Sequence, residues 1–149
     1  MPGGGHPQAA ARASDRLAFA HDASHYLLLP HTDVTPQEPG QVAAPWTSTE
    51  YDVSLTFRSR GTNLSGQATH ERTLADTHRH FRGIEILDAG ARVRVQPGAT
   101  IRAVSTRPAR HGRNLGPGYA SESACTIGGV AANNWPRCFA HPVVHALTH

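Results

Sequence analysis

Residues 56–67, TFRSRGTNLSGQ, place a glycine-bearing polar loop directly behind an alternating apolar run. That composition suits a phosphate cradle. Gly61 and Gly66 admit positive φ angles and let the main chain approach a ligand, while Thr62, Asn63 and Ser65 set short polar side chains beside free N–H groups. The same residue types also build ordinary turns, so the loop alone leaves both readings open.

Other residues invite chemistry less convincingly. His141, His145 and His149 recur every four positions, a spacing that would align three imidazoles on one helix face for Zn²⁺ or Ni²⁺. Pro142 weakens such a helix and no nearby carboxylate or thiol completes a site, so no metal is expected. His70-Glu71 begins like a metalloprotease helix motif, but position 74 is Leu. His78 and His80 could act as general bases only with a substrate beside them; surface histidines are the simpler account. Cys125, next to Thr126 and Gly128, reads as a small packed side chain.

The 149 residues suffice for one domain with a real core and are too few for a cofactor domain plus a separate substrate domain. The net charge of +3 comes from 14 basic residues, all Arg, against 11 acidic ones. These arginines form no basic stripe, and aromatic residues make up only 6% of the chain, which argues against nucleic acid and for small anionic ligands. Two cysteines supply neither a disulfide framework nor a zinc quartet, so a reduced, cytoplasmic protein is expected. No signal peptide or membrane span is visible; peripheral membrane attachment or an electron-acceptor partner stays open.

Residues 1–13 read as a disordered leader. Ser14 or Asp15 can cap a helix carrying Leu17, Ala18, Tyr26 and Leu27 to Leu29, ended by Pro30. Residues 34–36 suggest a short strand, and residues 39–44 a helix that Pro45 should break or kink. Strands are expected at 53–57, 73–76, 83–87 and 91–95, the last two joined by a turn at Asp88-Ala89-Gly90. Thr100 can cap a helix through Ile101, Val104 and Ala109, with Pro108 awkwardly inside it and Gly112 as its stop.

Several ordered motifs give the chain a family likeness. Asp15 to Pro30 (DRLAFAHDASHYLLLP), VTPQEPGQVAA from Val34, LTFRSRGTNLSGQA from Leu55, FRGIEILDAGARVRVQPG from Phe81 and GRNLGPGYASESACTIGGVAANN from Gly112 follow one another as in that family. With them the chain closely resembles the PCMH-type FAD-binding domain of the FAD-linked oxidase superfamily, in the branch of D-lactate dehydrogenase and the FAD subunit of glycolate oxidase. The pair RxxGTxLSGQ and CTIGGxxANN, about sixty residues apart, carries most of that likeness.

The resemblance implies an α+β fold: the first α/β subdomain and the beginning of the second, over residues 14–134, with 135–149 as a tail foreign to the family. It implies noncovalent FAD, since Thr62 stands where relatives with covalent flavin place His. By this likeness the pyrophosphate falls to the main chain around Arg58, Ser59, Arg60, Gly61, Thr62, Asn63, Leu64, Ser65, Gly66 and Gln67. Gly116, Pro117, Ala120, Ser121, Thr126, Ile127, Gly128, Gly129 and Asn133 match the part running beside the pyrophosphate and the flavin ring. In the family the flavin takes a hydride at N5 from the carbon bearing a substrate hydroxyl.

The departures are Arg60, where relatives carry a small residue; Gly118-Tyr119 in place of Asp-Pro; Pro45 and Pro108 in helices; and an abrupt change after Asn134 to WPRCFAHPVVHALTH. That change reads as a shifted frame or gene fragment, which the coding DNA just past the Asn134 codon would show as an intact family continuation in another frame. The expected function is the FAD-binding portion of a flavin-dependent oxidoreductase acting on the CH–OH group of a D-2-hydroxy acid. No catalytic residue of its own is expected, and a small 2-hydroxy acid would be a partner only if further domains are supplied. The alternative is a truncated, catalytically inactive FAD-binding remnant.

Overall fold

The computed structural model describes residues 8–9, 12–46, 54–113 and 121–133. Within them the chain forms β1 (Gln8–Ala9), α1 (Ala13–Ala18), β2 (Thr32–Thr35), α2 (Pro39–Trp46), β3 (Leu55–Arg58), β4 (Thr73–Asp76), β5 (Ile84–Leu87), β6 (Arg92–Val95), α3 (Ile101–Ala109) and α4 (Ile127–Ala132). The fold is α+β. One sheet has the order β1-β2-β4-β3, with β4 parallel to both β2 and β3 and β1 antiparallel at the edge; β5 and β6 form a separate hairpin.

The central strand is apolar enough to stand between two neighbours, since Leu74 and Ala75 are almost wholly buried. Leu55 pairs with Thr73 and Arg58 with Asp76, so β3 and β4 end together and the loop after β3 leaves at the carboxyl end of the sheet. Because β3 and β4 run parallel, residues 59–72 must carry the chain back along the sheet. They are long enough for that return, which takes about a dozen residues.

Several expectations need correction. The first helix stops at Ala18, and residues 19–30 are irregular. Asp22 Oδ1 there accepts from the Ser24 N–H at 2.7 Å, and Ser24 Oγ from the Tyr26 N–H at 3.2 Å. These local side-chain bonds compete with the helical ladder and win. Neither Ser14 nor Asp15 is the cap; Arg12 is, without a side-chain bond. Gln8–Ala9, inside the stretch read as a leader, pairs with β2, because an edge strand asks only for main-chain groups. Pro45 lies within α2, which continues to Trp46.

Pro108 is likewise accommodated inside α3, where it is buried. Thr100 caps that helix as expected, accepting from the Ala103 N–H, and Gly112 follows it at φ 66°. The hairpin turn sits where expected, with Asp88, Ala89 and Gly90 all at positive φ. Arg92 closes it by donating to the Asp88 carboxylate.

The second core gathers Ile101, Cys125 and Val130 with Ile127 against them. It is held by paired main-chain bonds: Ile101 N–H to Cys125 O, Ile127 N–H to Ala99 O and Gly128 N–H to Pro97 O. Gly98 in turn donates to Phe81 O at 2.7 Å. A Cβ on Gly98 would lie 2.4 Å from Thr77 O and 2.7 Å from Phe81 O. Gly98→Ala should therefore destabilise the chain by about 1–3 kcal/mol or prevent folding. Gly40→Ala, where a Cβ would meet nothing within 4 Å, should change stability by under about 1 kcal/mol. Urea unfolding compares the two; equal effects would contradict the packing account.

Candidate functional site

The loop following β3 is shaped from behind by one side chain. Arg58 turns inward, 8% exposed, and donates to Phe19 O at 2.8 Å, His21 O at 2.6 Å and Ala68 O at 3.3 Å. Its guanidinium carbon also stands 5.4 Å from the centre of the Phe19 ring. Three carbonyls from two segments are thus gathered on one rigid donor fork. The Ala23 N–H adds a bond to Gly61 O at 2.9 Å, so residues 19–26 form a wall behind the loop.

Gly61 and Gly66 take φ 61° and 70°, the left-handed conformations expected of them. A Cβ on Gly66 would lie 2.4 Å from the Tyr26 ring, and one on Gly61 2.9 Å from the Arg58 guanidinium. Asn63 Oδ1 accepts from the Gln67 N–H at 2.9 Å, and Thr69 Oγ1 donates to Gly66 O. Thr62, Leu64, Ser65 and Gln67 face solvent, Leu64 at 76% exposure. Among the described residues, no main-chain N–H from residue 60 to residue 66 has a protein acceptor. Ser59 Oγ is buried without a partner among the described residues. Free N–H groups, positive-φ glycines and an unpartnered hydroxyl fit a bound pyrophosphate well.

The second motif is less uniformly directed at a ligand. Gly116, Pro117 and Ala120, with Gly118-Tyr119, lie outside the described residues, as do Trp135 and the histidines at 141, 145 and 149. Ser121 is exposed and its carbonyl accepts from Ala124 and Cys125. Thr126 is 2% exposed and Ile127 packs on the core, so both serve as scaffold. A Cβ on Gly128 would lie 2.6 Å from Pro97 Cβ; its close approach is to the protein itself. Gly129 has room, its nearest neighbour being Thr126 Oγ1 at 3.7 Å. Asn133 Nδ2 donates to Gly129 O at 2.7 Å and so closes α4. Cys125 is buried just ahead of that short helix, the small packed side chain expected of it.

The two motifs are nevertheless joined. Arg58 O accepts both the Thr77 N–H at 2.8 Å and Thr77 Oγ1 at 3.1 Å. From Thr77 the connection runs through Phe81 and Gly98 to Pro97 and Gly128. Sequence reading missed this relay and the wall at residues 19–26; Pro97-Gly98 behind a strand was its visible trace. His78, beside Thr77, donates its main-chain N–H to Asp76 Oδ1, and its Nδ1 is buried without a partner among the described residues. Burial and then Arg60 hold its imidazole below the usual range, so it is neutral near pH 7. His70 accepts from the Arg72 N–H at Nδ1, which leaves Nε2 protonated toward Ser54 Oγ at 3.2 Å, the wrong tautomer for activating a serine.

With this geometry the chain can be set beside known proteins. A family model described as an FAD binding domain matches residues 30–141, and the chain belongs to that family, whose cofactor is FAD. It is 33% identical to D-2-hydroxyglutarate dehydrogenase of Escherichia coli (strain K12) over 78% of this chain, and 40% identical to glycolate oxidase subunit GlcD of the same strain over 55%. It spans 12% and 17% of those two proteins. Alkyldihydroxyacetonephosphate synthase shares the fold with a TM-score of 0.67 at 18% identity, over 84% of this chain and 26% of that one. The 6-hydroxy-D-nicotine oxidase of Arthrobacter nicotinovorans does so at 0.63 and 22%, over 75% and 25%. No helix among the described residues is long and apolar enough to cross a membrane.

Beneath the loop, Asp22, Asp33 and Asp76 are all buried near Arg58. Burial, reinforced by Asp76, raises the Asp33 carboxyl from 3.8 to about 6. The folded chain thus holds a proton that the unfolded chain releases at lower pH. This stabilisation is complete below about pH 4 and lost as pH rises through about 6. Asp33→Asn should remove that dependence, raising stability at pH 7 relative to pH 4 by about 2–3 kcal/mol compared with the parent. Chemical unfolding at both pH values checks this; an unchanged difference would refute it.

Proposed function

We propose that the chain is the FAD-binding portion of a flavin-dependent oxidoreductase acting on the CH–OH group of a D-2-hydroxy acid. The observation carrying this reading is the run of unengaged main-chain N–H groups from residue 60 to residue 66, backed by Arg58 and the wall at residues 19–26. In this reading Ser59 to Gln67 hold the pyrophosphate, while the Arg58 side chain braces the loop from behind. Ser121, Gly129 and the N-terminal part of α4 border the remainder of the cofactor, with Thr126, Ile127, Gly128 and Asn133 setting their position. Gly116, Pro117 and Ala120 are assigned to the same border by the family likeness alone.

Bound flavin supplies an acceptor for a hydride from the carbon bearing the substrate hydroxyl. This chain contributes binding and orientation. The substrate class rests on the relatives' names, D-2-hydroxyglutarate dehydrogenase and glycolate oxidase subunit. Because the chain spans 12–17% of those proteins, turnover is proposed only together with further polypeptide. Thr62 in the loop supports noncovalent attachment. A cytoplasmic location follows from the same reading of the two cysteines.

Purified full-length chain should take up FAD near one per chain, quenching flavin fluorescence, and acid precipitation should leave the flavin in the supernatant. Gly61→Ala, forcing a Cβ into the left-handed region 2.9 Å from Arg58, should weaken FAD binding by roughly tenfold or more. Adding D-lactate, glycolate or D-2-hydroxyglutarate to the chain alone should leave the flavin oxidised. Absence of FAD uptake by folded protein would overturn the reading.

A further inference from the structure

A second cleft lies between the end of α3 and the β5–β6 hairpin, built from none of the residues assigned to the flavin. It is open to solvent, has a volume of about 450 Å³ and is lined by Ile86, Arg107, Arg110 and His111. Arg107 lies in the last turn of α3, Arg110 is its C-cap and His111 follows in the turn beyond, and together they make one face of the cleft. That face is drawn against the hairpin at two points. Arg107 donates to Ile84 O at 2.8 Å, and His111 packs so closely on the buried Gly90 that a Cβ there would lie 2.7 Å from His111 Cβ.

The charge of this cleft is unbalanced. Among the described residues Arg79, Arg92, Arg94 and Arg102 each meet a carboxylate, whereas Arg107 and Arg110 meet none. The bond to Ile84 fixes one donor of Arg107 and leaves the rest of its fork available. The final carbonyls of the helix do not oppose an incoming anion strongly. Those of Arg107, Pro108 and Ala109 already accept from the N–H groups of Arg110, His111 and Gly112. Ile86 supplies an apolar wall, and the volume falls within the range of small-molecule sites, roughly 300–1,000 Å³.

We propose that this cleft binds a small phosphomonoester with an apolar body, its phosphate held by Arg107, Arg110 and His111 and its body lying on Ile86. A phosphate dianion offers three oxygens to three donor side chains, and guanidinium forks match it in bidentate fashion. A carboxylate of similar size would engage fewer of them. The ligand is separate from FAD, so both can be bound together.

Phenyl phosphate, inorganic phosphate and benzoate are the probes, titrated calorimetrically into the full chain with and without saturating FAD. Phenyl phosphate should bind more tightly than either of the others, and FAD should not displace it. Arg110→Gln and Arg107→Gln, both exposed positions, should each weaken it by roughly tenfold or more while far-ultraviolet circular dichroism stays unchanged. Three results would overturn the proposal: no saturable binding of phenyl phosphate, equal affinity in the folded Gln variants, or displacement by FAD. The last would assign the phosphate to the flavin site instead. If FAD uptake fails but the arginine-dependent binding holds, only the flavin reading falls.

Discussion

The buried guanidinium of Arg58 organises the first half of the molecule. Its side chain takes carbonyls from Phe19, His21 and Ala68, while its own carbonyl receives two bonds from Thr77. One residue at the end of β3 therefore fixes the irregular segment in front of the sheet, the exit of the glycine loop and the start of the β4–β5 connection. A lysine would present a single ammonium point to three diverging carbonyls and could not reproduce the fork. The loop is held from behind, which leaves its outer N–H groups free.

Burying that cation draws in counter-charge. Asp22, Asp33 and Asp76 surround Arg58, and Arg79 reaches Asp76 at 3.3 Å. Fully ionised, three buried carboxylates would face one buried guanidinium and the solvent-exposed guanidinium of Arg79. A proton on Asp33 equalises the numbers, and Asp33 is the one whose carboxyl rises to about 6. Its Oδ1 has no partner among the described residues, which fits a group better tolerated neutral than charged. The electrostatics beneath the loop follow from the choice to anchor it with a buried arginine.

How much of this the sequence revealed depended on whether a signal was local. The strand at 73–76, the Thr100 cap, the Asp88-Ala89-Gly90 turn and the positive φ of Gly61 and Gly66 are decided by neighbouring residues, and the pattern exposed them. The helix drawn through Tyr26 and Leu27 failed because apolar spacing outweighed Asp22 and Ser24, whose side chains bond the main chain two residues on. Pro45 and Pro108 looked forbidding, yet each falls in the last turn of its helix, so the one main-chain bond it forfeits comes where the ladder is about to end rather than in its middle. Arg58 entered the expected cofactor loop through the family likeness, which concerns the main chain and is silent on where its guanidinium goes. Its inward turn depends on Phe19 and His21, nearly forty residues away in sequence.

The glycines show why a motif can identify a family while its members do different physical work. Gly61 and Gly66 are needed for conformation and shape the loop toward a ligand. Gly98 and Gly128 carry no positive φ; they are needed because Thr77, Phe81 and Pro97 leave no room for a Cβ. Both kinds look alike in a fingerprint. The second motif therefore reports two things at once: a border open at Gly129 and a joint closed at Gly128. That joint transmits position from β4 through Gly98 to α4, so the spacing of the two motifs in sequence matters less than the main-chain bonds that bring them together. A substitution at Gly98, far from either motif, would disturb the relation between them more than most changes within the exposed loop itself.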